Sequence, residues 1–144
     1  MNKRFLISGL ITAVVLFVLN GVAYMLFLKD FFHDHPAIST EFMEKLYKPD
    51  NELIWWAIIL SAVAIGFLVT KVIEWSGART FVAGLKSGFV FAILLLCSVD
   101  FGLLASTNSF STASAFADLF TSTTTITISS GIAAWLLGKG KTVG

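Results

Sequence analysis

FVAGLKSGFVFAILLLCSVDFGLLA, residues 81–105, is followed after a short polar link by ASAFADLFTSTTTITISSGIAAWLL, residues 113–137. Each stretch is long enough to cross a bilayer as a helix, which takes about 20 apolar residues. The first is almost pure hydrocarbon but carries Asp100 near its far end. The second is laced with Thr121, Ser122, Thr123, Thr124, Thr125, Thr127, Ser129 and Ser130. An Asp at the centre of a spanning helix costs roughly 2.5–3.5 kcal/mol on insertion scales. These polar groups must therefore be buried against other helices or face water.

The rest of the chain has the same character. It is 56% hydrophobic and 13% charged, with a mean hydropathy of +0.85. Soluble chains are about 25% charged, so much of this surface must meet lipid. The net charge of +1 leaves no footprint for nucleic acid. The single cysteine, Cys97, lies in an apolar run and reads as a small hydrophobe.

Working outward, residues 5–28 form a first uncharged segment, preceded by Lys3 and Arg4 and closed by Lys29 and Asp30. It outruns a signal-peptide core and is followed by no cleavage site, so it reads as an uncleaved membrane helix. Asn20 within it is expected to bond a neighbouring helix. A second segment covers 53–73, with Trp55 and Trp56 at its start and Trp75 just past its end. With Trp135 near the end of the last segment, these are expected interface anchors. Ser76-Gly77 marks a tight turn into the third segment, so the second and third are antiparallel neighbours.

The expected fold is an all-α membrane protein, a four-transmembrane-helix bundle with helices at about 5–28, 53–73, 81–105 and 113–137. Residues 29–52 form the outer loop, and 138–144 a basic cytoplasmic tail. In that loop Ser39 can cap a short amphipathic helix, with Ile38 and Met43 as a staple and Phe42, Met43, Leu46 and Tyr47 on one face. Pro49 ends it. The pair His33-x-His35 has no third His or Cys nearby; Asp34 and Glu41 could contribute but nothing fixes their geometry, and the histidines read as interfacial. No metal or cofactor is expected.

Orientation follows from Lys and Arg. Lys3, Arg4, Lys71, Arg79, Lys86, Lys139 and Lys141 fall on one side; Lys29, Lys45 and Lys48 fall on the other. That predicts cytoplasmic termini and an outward-facing 29–52 loop.

No phosphate loop, zinc spacing or nucleophile elbow is present, which argues against an enzyme. The candidate ion or substrate pocket is the intramembrane polar set Asn20, Asp100, Asp118, Ser122 and Thr125. Asp118, Ser122, Thr125 and Ser129 recur at steps of four, three and four, which lines one helical face. The bland alternative is that each hydroxyl bonds the carbonyl one turn back and the helices simply pack. Gly84, Gly88 and Ala92 repeat every four residues and let two helix backbones approach, within the chain or between chains. A weak internal echo pairs Ser8-Gly9 and Asn20-Gly21 with Ser87-Gly88 and Asp100-Phe101-Gly102, as a duplicated hairpin would.

Gly21-Val-Ala-Tyr24, the Gly84/Gly88 spacing, a mid-membrane carboxylate and Ser130-Gly131-Ile132 together resemble a broad group of small bacterial four-helix membrane proteins of undefined function. That resemblance implies a fold and an inner-membrane location, and no activity. Expected partners are membrane lipids and either further copies of the chain or other membrane subunits. Two functions compete: a non-enzymatic homo-oligomer or accessory subunit, and a small transporter or channel with an outward-facing polar pocket around Asp100.

Overall fold

The computed structural model describes residues 2–34, 38–46, 48–109 and 111–139. His35, Tyr47 and the tail from residue 140 lie outside them, as does the side chain of Met43. The described residues form helices α1 (Lys3–Asp34), α2 (Thr40–Leu46), α3 (Trp55–Ser76), α4 (Phe81–Ser106) and α5 (Thr112–Gly138), with a 3₁₀ turn at Asp50–Glu52 and no strand. By length and composition α1, α3 and α4 can each cross a membrane. Helix α5 is long enough but not apolar enough to count among them.

The helix starts follow from local chemistry. The Asn2 side chain accepts from the Arg4 backbone N–H, Thr80 from Ala83 at 3.2 Å, and Ser111 from Ser114 at 3.0 Å. Each satisfies one of the orphan donors of a first turn. Gly77 takes a φ of 74° at the C-cap of α3, a left-handed conformation that favours glycine. That cap reverses the chain into α4.

Helix α1 departs from expectation. It does not stop at Leu28 but runs through Lys29 and Asp30 to Asp34, so the first loop is shorter than 29–52. No Gly or Pro lies between Gly21 and Pro36. Lys29 and Asp30 mark the end of hydrocarbon, not the end of hydrogen bonding. Within this run Tyr24–Leu28 widens into one π turn, with the Lys29 N–H donating to the Tyr24 carbonyl. Trp75 likewise falls inside α3, exposed, and not beyond it.

Helix α5 is the centre of the bundle. It packs along α4 and against α1 and α3, while α1 pairs mainly with α3. Ala133, Ala134, Ser129 and Ser130 on α5 are fully enclosed, with Leu16 of α1 and Val69 and Ile73 of α3. The α4–α5 contact is close because Gly84 and Gly88 meet Ser130 and Gly131. A Cβ on Gly84 would lie 2.5 Å from the Ser130 carbonyl oxygen and from Ala134 Cβ. Ala92 is completely buried in the same face. The small-residue stripe is thus occupied within the chain. On α1, Gly9 meets the ring of Phe67 and Ala13 meets Gly66, giving α1 and α3 a similar approach. Gly9 and Gly88, the paired positions of the sequence echo, both lie at hairpin contacts; Gly21 and Gly102 face open space.

Candidate functional site

Five polar side chains from three helices converge toward the end of the bundle where α4 finishes and α5 begins. From α5, Ser122 Oγ donates to Asp118 Oδ1 at 3.0 Å. One turn further, Thr125 Oγ1 lies 2.9 Å from Asn20 Oδ1 of α1 and donates to it, with the Ser122 carbonyl at 3.1 Å. From α4, the carboxyl of Asp100 comes close enough to that of Asp118 for the two to interact electrostatically. Asn20, Asp100, Asp118, Ser122 and Thr125, singled out from the sequence, therefore stand next to one another across α1, α5 and α4.

Their burial differs in a way that matters. Asp100 is only 2% exposed, and its Oδ2 has no hydrogen-bond partner. Asp118 is half-buried, and Asn20 lies at the bundle surface. The cluster is closed around Asp100 and opens past Asp118. Phe101 of α4 and Phe116 of α5 stack edge to face, with centroids 5.6 Å apart. Among the described residues, ion pairs form at Lys45–Glu41 and Lys71–Glu74, His33 Nδ1 lies 3.6 Å from Asp34, and none of these contacts involves Asp100 or Asp118.

Not every hydroxyl of α5 belongs to this cluster. Thr124 bonds the Phe120 carbonyl and Ser129 the Thr125 carbonyl, both at 2.8 Å, as helix-satisfied residues do. Thr70 of α3 does the same to Gly66. Thr12, Thr123, Thr127 and Ser130 have buried hydroxyl oxygens with no partner. Ser130 is pressed onto Gly88, where a Cβ would collide with its side chain. Thr12, on α1, is fully buried and has no counterpart among the residues picked from the sequence. Its signal, one Thr in an apolar helix, is too common to find by reading.

The anchors fall at the ends. Trp55 and Trp56 open α3 and are exposed. At the opposite end Lys71 Nζ sits 5.4 Å from both the Phe5 and Trp75 ring centroids, and Lys139 Nζ 3.4 Å above Trp135. Amphipathic side chains of this kind suit a bilayer interface. Helix α2 lies near the α4–α5 link: Phe42 and Leu46 share a cavity of about 540 Å³ with Thr107, Asn108 and Ser109. Two further grooves flank the outer face of α5. One of about 460 Å³ runs along α4, and one of about 520 Å³ along α1. Both are apolar, and Asp100 lines neither.

No protein-family model, curated protein or solved structure matches this chain.

Proposed function

We propose that this is a four-span protein of a bacterial inner membrane, of the transporter or channel type, with a small polar pocket around Asp100 that opens outward. One observation carries the reading: a carboxyl that is 2% exposed, with one oxygen unpartnered, held beside a second carboxyl. Such an arrangement is costly in a membrane helix and adds nothing to packing that an apolar residue would not supply. Asp118, Ser122 and Asn20 form a graded polar path from it to the bundle surface. The Lys and Arg distribution supports cytoplasmic termini, which puts the open end of the cluster outside. The four-helix layout and its bacterial resemblance support the location.

The second reading, a non-enzymatic homo-oligomer or accessory subunit bathed in lipid, draws on the two apolar grooves beside α5. Phe120, between them, is 77% exposed. The Gly84/Gly88/Ala92 face no longer favours that reading, because α5 already covers it.

Cysteine labelling separates the two. In a Cys97→Ala background, Asp118→Cys and Ser122→Cys should react with a membrane-impermeant maleimide added outside, while Ser129→Cys, fully enclosed, should not. Silence at both outer positions in folded protein would exclude a pocket open to that side.

A further inference from the structure

The two ends of the bundle carry opposite charge. Where α1 and α4 begin and α3 and α5 end, the described residues include Lys3, Arg4, Lys71, Arg79, Lys86 and Lys139 and one acid, Glu74. Glu74 is taken by Lys71, at 2.7 Å. The Arg79 guanidinium donates to the Ala78 carbonyl and meets no carboxylate. Lys3, Lys86 and Lys139 form no ion pair among the described residues. Gly138 packs on the Arg79 backbone, which brings Arg79 beside Lys139. The other end sets Lys29, Lys45 and Lys48 against eight acids. A one-sided excess of cations attracts anions from outside the chain.

Lys86 indicates what kind of anion. It lies six residues past the cap Thr80, about 9 Å along α4 at the helical rise. Gly84 and Gly88 turn toward α5, and a step of two residues puts Lys86 on the opposite face of the helix. There it is exposed, one turn from Val82 and Val90, which are exposed too. Helix α4 is apolar enough to cross a membrane, and an outer stripe of this kind suits acyl chains. Helix side chains lean toward the N-terminus. The Lys86 stem therefore lies along that stripe and carries its ammonium back toward the start of α4. A soluble acidic protein does not reach a lysine flanked by acyl chains, whereas the phosphate of a phospholipid stands directly over it. Trp75 and Trp135, exposed at the same end, suit the headgroup level.

We propose that this end of the bundle binds the headgroups of anionic phospholipids, with Lys3, Arg79, Lys86 and Lys139 as the cations that meet their phosphates. Such binding needs α1, α3 and α4 to span a bilayer. It needs neither the pocket around Asp100 nor a particular orientation of the termini.

The test uses the full chain in vesicles of dioleoylphosphatidylcholine with a trace of phosphatidylglycerol spin-labelled near the end of one acyl chain. Electron paramagnetic resonance separates lipid held at the protein surface from free lipid, and phosphatidylcholine with the same label is the reference. The expected preference for phosphatidylglycerol is about threefold or more, falling toward unity in about 1 M salt. Lys86→Gln should lower it by about half. Gln at Lys3, Arg79, Lys86 and Lys139 together should abolish it. Gln at Lys29, Lys45 and Lys48, at the other end, should leave it unchanged. Far-UV circular dichroism and size-exclusion profiles show whether each variant is folded. If the fourfold variant misfolds, the single exposed change Lys86→Gln and the salt dependence of the wild type decide. Equal retention of the two lipids by the wild type overturns the proposal. So does a preference that folded Lys86→Gln keeps in full, or one that the opposite-end variant removes equally.

Discussion

Gly88 and Gly21 are both glycines inside long apolar helices, yet a methyl group would meet opposite surroundings at the two. At Gly88 a Cβ would collide with the Ser130 side chain, and at Gly84 with the Ser130 carbonyl and Ala134. At Gly21 and Gly102 nothing lies within 4 Å. Overpacking a close contact costs about 1–3 kcal/mol, while Gly→Ala at an open helical site recovers about 0.5–1 kcal/mol of backbone entropy. Gly84→Leu and Gly88→Leu are therefore expected to lower stability by that first amount or more. Gly21→Ala and Gly102→Ala should be neutral or slightly stabilising. Reversible unfolding in mixed detergent micelles reads both signs. A Gly88→Leu protein as stable as wild type would mean that α4 and α5 do not meet as described.

Helices α4 and α5 were legible from their sequences to within a residue or so, because caps and length agree there. Thr80 and Ser111 are strong N-cap residues, and the turn residues Ser76-Gly77 leave no helical alternative. The end of α1 was not legible. Its sequence changes in polarity at Lys29, where hydrocarbon ends, but contains no residue that breaks a helix there. Nor does any residue type announce the π turn at Tyr24–Leu28. The polar cluster was legible as a set, since spacing puts Asp118, Ser122 and Thr125 on one face. Its partners across helices were not, because register between helices is set by contacts such as Ala13 on Gly66. The π turn carries a prediction of its own. A π turn holds one residue more than an α turn, and Met25 within it is exposed. Deleting Met25 should convert the turn to α, keep Leu28 buried, and change the melting temperature little. Deleting Val14, also exposed but in regular α-helix, should pull Asn20 out of line with Thr125 and cost several degrees. Parallel thermal scans in detergent compare them directly; equal losses would show that the π turn takes up no slack.

At the scale of the whole molecule the charges are polarised along the bundle. Of the nine basic residues among the described ones, six lie where α1 and α4 begin and α3 and α5 end, and eight of the nine acidic residues lie toward the other end. The antiparallel packing, with Phe5 against Phe67 and Gly138 against the Arg79 backbone, brings those basic segments together. Whether the chain crosses four times depends on α5, whose average composition is too polar for a span. Its average is a poor guide, because only one face of it is open at the surface of the bundle. Ser114, Thr123, Thr125, Ser129 and Ser130 are buried against other helices, while the exposed stripe includes Phe116, Phe120, Ile128 and Trp135. Thr124, on that stripe, gives its hydroxyl proton to the Phe120 carbonyl. A helix that enters the bilayer together with its partners is judged by its outer face and by satisfied internal contacts. Reporter fusions test this. Alkaline phosphatase joined after residue 48 or after residue 108 should be active, as it is only outside the cytoplasm. Joined after residue 139 it should be inactive, and a fluorescent protein there should be bright. If the fusions after 108 and 139 report the same side, α5 does not cross. If every reporter is inverted, α5 crosses, but the carboxyl pocket opens to the cytoplasm and the positive residues fail to set orientation.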